Sequence, residues 1–151
     1  MKRNYVAALF LFAALLPGLS SCDDEENAGK SEEEVNAEKL AGSWTFGSNG
    51  YISLDAVDLT EEFEGFLIRF TKNHSYIVLN DPDNVFFPTG SWKFVEGNFQ
   101  EIVLNKNPAP ISIQYENSTT LLLSFTVTGN TPIGQRVSGI SGNYTLRLTK
   151  E

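Results

Sequence analysis

Residues 110–127 read PISIQYENSTTLLLSFTV. Ile111, Ile113 and Tyr115 alternate with Ser112, Gln114 and Glu116; beyond Asn117-Ser118-Thr119, Leu121, Leu123, Phe125 and Val127 alternate with Leu122, Ser124 and Thr126. A period of two sends successive side chains to opposite faces, so each run reads as an antiparallel strand with one buried and one wet face. The three residues between them are turn formers at hairpin length. Tyr144, Leu146 and Leu148 repeat the pattern against Thr145, Arg147 and Thr149.

Working outward, the same reading predicts strands at 42–47 (Trp44 and Phe46 inward), 66–71, 75–80, 89–95 (Trp92 and Phe94 inward) and 99–105, making eight, with 51–54 as a candidate ninth. Lys72-Asn73-His74 and Glu96-Gly97-Asn98 carry turn chemistry between neighbours. One short helix is expected at 58–65, where Asp58 can cap free amides, Glu61 stands at the capping-box spacing and Gly65 suits a left-handed stop. Many short strands with almost no helix mean an all-β sandwich or barrel, and closure removes the edges that invite aggregation. Residues 39–151 are enough for one domain.

The chain starts differently. Lys2 and Arg3 precede an apolar run from Tyr5 to Leu16, and Leu19-Ser20-Ser21 leads to Cys22. These are the zones of an export signal, too short to span a bilayer. Leu19-Ser20-Ser21-Cys22 resembles the lipobox of bacterial lipoproteins, which implies removal of residues 1–21 and lipid on Cys22. Cys22 is the single cysteine of the chain, and its position selects modification over a disulfide. More than one acyl chain anchors stably, so a membrane is an expected partner.

The net charge of −8 is concentrated behind that cysteine. Residues 23–38 carry eight acidic side chains against Lys30, and residues 39–151 carry eleven acids against eight bases. With little to bury, residues 22–38 read as a lipidated cysteine and an acidic, disordered tether. Cys22-Asp23-Asp24-Glu25-Glu26 resembles the acidic export signal of some Gram-negative surface lipoproteins, which implies an outer-membrane, cell-surface location. A rule known from enteric bacteria reads Asp after the cysteine as inner-membrane retention; the run of four acids favours export.

Gly42-Ser43-Trp44-Thr45-Phe46 recurs as Gly90-Ser91-Trp92-Lys93-Phe94. Each glycine would let the chain bend at a barrel end, and each Trp would plug that end. With Leu40-Ala41 before the first copy and Phe70-Thr71-Lys72-Asn73-His74-Ser75-Tyr76 between them, residues 39–151 resemble the lipocalin-like domains of bacterial lipoproteins. The resemblance implies an up-and-down β-barrel with Gly42, Trp44, Gly90 and Trp92 as barrel-closing residues. It also implies an Arg of the last strand packed across the first Trp; Arg147 is the only candidate there, and its alternation places it on the outer face.

Catalysis lacks parts: His74, the single histidine, sits in a turn. No His/Cys cluster has zinc spacing, and Asp81-Pro82-Asp83-Asn84 lacks the glycine and distal Glu of an EF-hand loop. Asp55, Asp58, Glu61, Glu62 and Glu64 read as caps and a wet face. An acidic chain without a basic stripe disfavours nucleic acid. Neither an enzyme nor a resident cofactor or metal is therefore expected. The leading expectation is binding of a small apolar or amphipathic ligand inside the barrel, lined by Phe70, Phe94, Tyr115, Phe125 and Tyr144. The rival is a filled barrel acting as an accessory module toward an envelope protein. Phe86 and Phe87 either tuck under the barrel or form a hydrophobic lip for that partner; Gly129 to Gly142 reads as a mobile rim.

Overall fold

The computed structural model describes residues 29–105, 107–128 and 141–151, without the side chains of residues 107 and 108. The expected signal segment, Cys22, the acids of residues 23–26 and most of the expected rim, 129–142, lie outside the described residues. Among the described residues, one helix, α1 (Glu32–Leu40), precedes ten strands: β1 (Gly42–Thr45), β2 (Tyr51–Leu54), β3 (Val57–Asp58), β4 (Leu67–Phe70), β5 (Ser75–Leu79), β6 (Thr89–Val95), β7 (Asn98–Leu104), β8 (Asn107–Asn117), β9 (Thr120–Val127) and β10 (Gly142–Lys150).

All pairings are antiparallel, and the order β1-β4-β5-β6-β7-β8-β9-β10 returns to β1 through Trp44↔Lys150 and Thr45↔Thr149. The sheet is thus a closed eight-stranded barrel. β10 continues past β1 to pair with β2, from Arg147↔Tyr51 to Tyr144↔Leu54. β1 and β2 are therefore one barrel strand interrupted by the loop 46–50, with β3 hairpinned on as an outer flap. That loop folds so tightly that a Cβ on Gly50 would lie 1.9 Å from the carbonyl oxygen of Phe46.

Alternation becomes burial as the sequence requires. β5 and β6 bury every second residue, placing Tyr76, Val78, Trp92 and Phe94 in the core and Ile77 and Lys93 outside. Trp44, Ile52, Ile68, Leu121, Leu123, Leu146 and Leu148 are fully buried.

The helix is not where the sequence reading placed it. At 58–65 the chain makes successive turns, with Glu62 N–H bonding to Leu59 O and Phe63 N–H to Thr60 O. Asp58 spends its carboxylate on the backbone N–H and hydroxyl of Thr60 instead of capping a helix, which holds it below its ordinary pKa. Phe63 and Phe66 both enter the core from this segment.

The helix instead occupies 32–40, and the boundary between tether and domain drawn at residue 39 falls inside it. Ser31 is its cap: its hydroxyl accepts from Glu34 N–H at 3.2 Å and Glu34 returns a bond to Ser31 N–H at 2.7 Å. Ala37 and Leu40, three apart, are buried against the barrel, the tertiary contact a short helix needs.

Candidate functional site

The barrel has two ends, and side chains fill both. At the helix end, Leu40 and Trp44 are completely buried, and the Trp44 indole N–H donates to Leu40 O at 2.8 Å. Tyr115 leans on Trp44 with centroids 6.4 Å apart. Above them Trp92 meets Phe70 and Phe94 edge-on at 6.0 and 5.1 Å, and Phe94 meets Phe99 at 5.2 Å. His74 closes this cluster from the β4–β5 turn, 4.6 Å from Trp92.

Arg147 lies outside the barrel, as its alternation requires, paired with Glu116 at 2.7 Å and bonded to Asn49 O; it does not cover Trp44. The cation over Trp44 is Lys150, the strand partner of Trp44, with its Nζ 5.2 Å from the ring and bonded to Lys39 O. Burial holds that ammonium below its ordinary pKa. Gly42 serves this contact: a Cβ there would come within 2.5 Å of Lys150 Cε.

At the opposite end the loop 81–88 turns inward. Val85 and Phe86 are 1% and 2% exposed, so of the two placements read from sequence Phe86 takes the first, tucked into the barrel, and not the lip. It is a plug, 6.1 Å from Phe66 and 5.1 Å from Phe125, and Phe125 stacks on Tyr144 at 5.4 Å. Phe87 is half-buried. Asp81, in the stretch that lacks the parts of an EF-hand loop, has both carboxylate oxygens committed, accepting from Val85 N–H at 3.0 Å and Phe86 N–H at 2.7 Å. Burial nevertheless leaves its pKa above the ordinary value. Asn80 and Asn84 adopt left-handed conformations within this turn, which Asn tolerates better than most residues.

The five expected ligand-lining residues do face inward, but the fold divides them. Phe70 and Phe94 belong to the Trp92 cluster, Tyr115 to Trp44 beneath the helix, and Phe125 and Tyr144 to the plugged end. Gly90, read as a bend, gives room inside: a Cβ would lie 2.5 Å from Asn105 Oδ1 and 2.8 Å from Tyr76 Cε1. Among the described residues, two buried polar atoms, Tyr76 Oη and Trp92 Nε1, have no hydrogen-bond partner. Burial pushes the Tyr76 phenol up to about 12.

Among the described residues, the wall opens between β7 and β8. The β7–β8 ladder runs from Leu104↔Asn107 to Glu101↔Ser112 and stops. Toward the helix, β7 continues only against β6 at Val95↔Asn98, and β8 only against β9. The split forms a groove of about 730 Å³, bordered by β7, β8 and the helical face of Glu32, Asn36 and Lys39. Lys39 Nζ sits 3.9 Å over the Tyr115 ring at its edge. The sequence pattern did not reveal this groove, because it depends on where two strands diverge. Across the helix, Glu38 binds Lys30 at 2.7 Å and Lys72 at 2.8 Å, and these lysines hold its carboxyl down at about 2.

Among the described residues, no three His, Cys, Asp or Glu side chains are grouped to hold a metal ion, and no helix is long and apolar enough to cross a membrane. The architecture defines a class: a closed eight-stranded antiparallel barrel with aromatic clusters at both ends. No protein-family model, curated protein or solved structure matches the chain.

Proposed function

We propose that the chain is a lipid-anchored outer-membrane protein, displaying a lipocalin-like barrel at the cell surface and working without catalysis as an accessory, partner-binding module. The address rests on Leu19-Ser20-Ser21-Cys22 and the acids that follow. The observation that carries the function is the Phe86 plug: with Phe86 buried against Phe66 and Phe125, the end opposite the helix is occupied by the protein's own side chain. Binding then falls to the outer surface.

A second reading, a small apolar ligand inside the barrel, is favoured by the aromatic lining of that same end. It requires Phe86 to move out. Native mass spectrometry of the full-length protein, extracted in detergent from its own envelope, separates the two. A co-purifying envelope component and no small apolar molecule supports the first; an apolar molecule at one per chain overturns it in favour of the second. Metabolic labelling with palmitate, lost in Cys22→Ser, tests the anchor, and protease shaving of intact cells that spares the domain would refute surface display.

A further inference from the structure

We propose that the groove between α1, β7 and β8 binds an uncharged saccharide of two or three units. The inference rests on the outer-surface reading above and names the ligand class of one site on that surface.

The groove's chemistry selects the ligand. Its rim bears Asn36, Asn98, Gln100, Ser112 and Gln114, and a side-chain amide both donates and accepts, as a sugar hydroxyl does. Gln100, Ser112 and Gln114 are exposed and make no side-chain hydrogen bond to the protein among the described residues. Phe99 forms an apolar floor where the split lays bare the core's margin, with Tyr115 beside it beneath the Lys39 ammonium; both rings are half-buried and packed against the core cluster. Amphipathic rings flanked by a few placed polar groups suit a ligand with apolar C–H faces and a hydroxylated edge.

The electrostatics point the same way. The groove carries one acid, Glu32, and one base, Lys39, and the Lys39 ammonium is already engaged by the Tyr115 ring. A charged ligand would find no net attraction in it. An extended peptide adding a strand to β7 would need free edge amides. The Gln100 N–H is already bonded to Asn98 Oδ1 at 2.9 Å. The volume of about 730 Å³ lies within the range of ordinary small-molecule sites, roughly 300 to 1,000 Å³.

The test titrates the full-length protein in detergent with cellotriose, maltotriose and tri-N-acetylchitotriose, with trigalacturonate as the charged control and a neutral tripeptide as the peptide control, by isothermal calorimetry. At least one neutral trisaccharide is expected to bind, the controls are not, and Gln100→Ala/Gln114→Ala should weaken that binding at least tenfold with an unchanged melting temperature. Absence of binding by all three trisaccharides at millimolar concentration overturns the proposal, as does binding that the double variant leaves intact, or preference for either control. None of these outcomes touches anchoring, surface display or partner capture, which have their own readouts.

Discussion

Replacing Phe86 by Ala is the most direct test of the plugged end. Phe86 is 2% exposed and contacts the rings of Phe66 and Phe125. Truncating a buried Phe costs about 3 to 5 kcal/mol. The loop can partly collapse into the space, which places this variant near the lower bound, about 3 kcal/mol. For a domain of this size that corresponds to a fall in melting temperature on the order of 10 °C. Urea unfolding followed by tryptophan fluorescence measures the loss, since Trp44 and Trp92 both lie at the other end. The opened mouth should also bind an apolar dye such as N-phenylnaphthylamine more tightly than the parent does. A loss under about 1 kcal/mol with no change in dye binding would mean that Phe86 is a surface residue, and the packed-barrel reasoning would fail.

Other predictions concern polar groups. Tyr76→Phe removes a hydroxyl without a partner; because leaving such a group buried costs about 1 to 3 kcal/mol, the variant should be as stable as the parent or more so in urea, and a clear loss would reveal a bonded hydroxyl. Asp81→Ala strips the acceptor from Val85 and Phe86 N–H and should cost about 2 kcal/mol while raising dye binding as Phe86→Ala does. Glu38 has its pKa lowered from 4.5 to about 2, so its contribution to helix docking is present above 4.5 and fades as pH falls toward 2. An acid titration of helical circular dichroism should show that step, and Glu38→Gln should remove it.

Strands were legible in the sequence because burial on one side of a sheet imposes a two-residue period that the order of apolar and polar residues reveals, as Ile111 to Val127 demonstrate. The helix was misplaced because both segments carry capping signals, and only packing separates them. Ser31 and Glu34 are followed by Ala37 and Leu40 three residues apart against the barrel, whereas Asp58 is drawn into a local turn with Thr60. Acidic surroundings hid those two apolar residues. The inward set was identified correctly, but its division between two ends was not, since alternation gives the face of a strand and not the height along it. Lys150 over Trp44 escaped notice for a related reason: the cross-strand register that joins them has no local signature.

The last strand carries a burden that affects how the molecule is made. β10 is bonded to β9 along one edge and to both β1 and β2 along the other, so the seam joins residues about a hundred positions apart. Loop closure over that distance is entropically slow to recover, and until the final ten residues arrive the sheet has two raw margins able to pair with another chain. Synthesis cut short near residue 141 would therefore leave an adhesive open sheet and not a slightly weaker barrel.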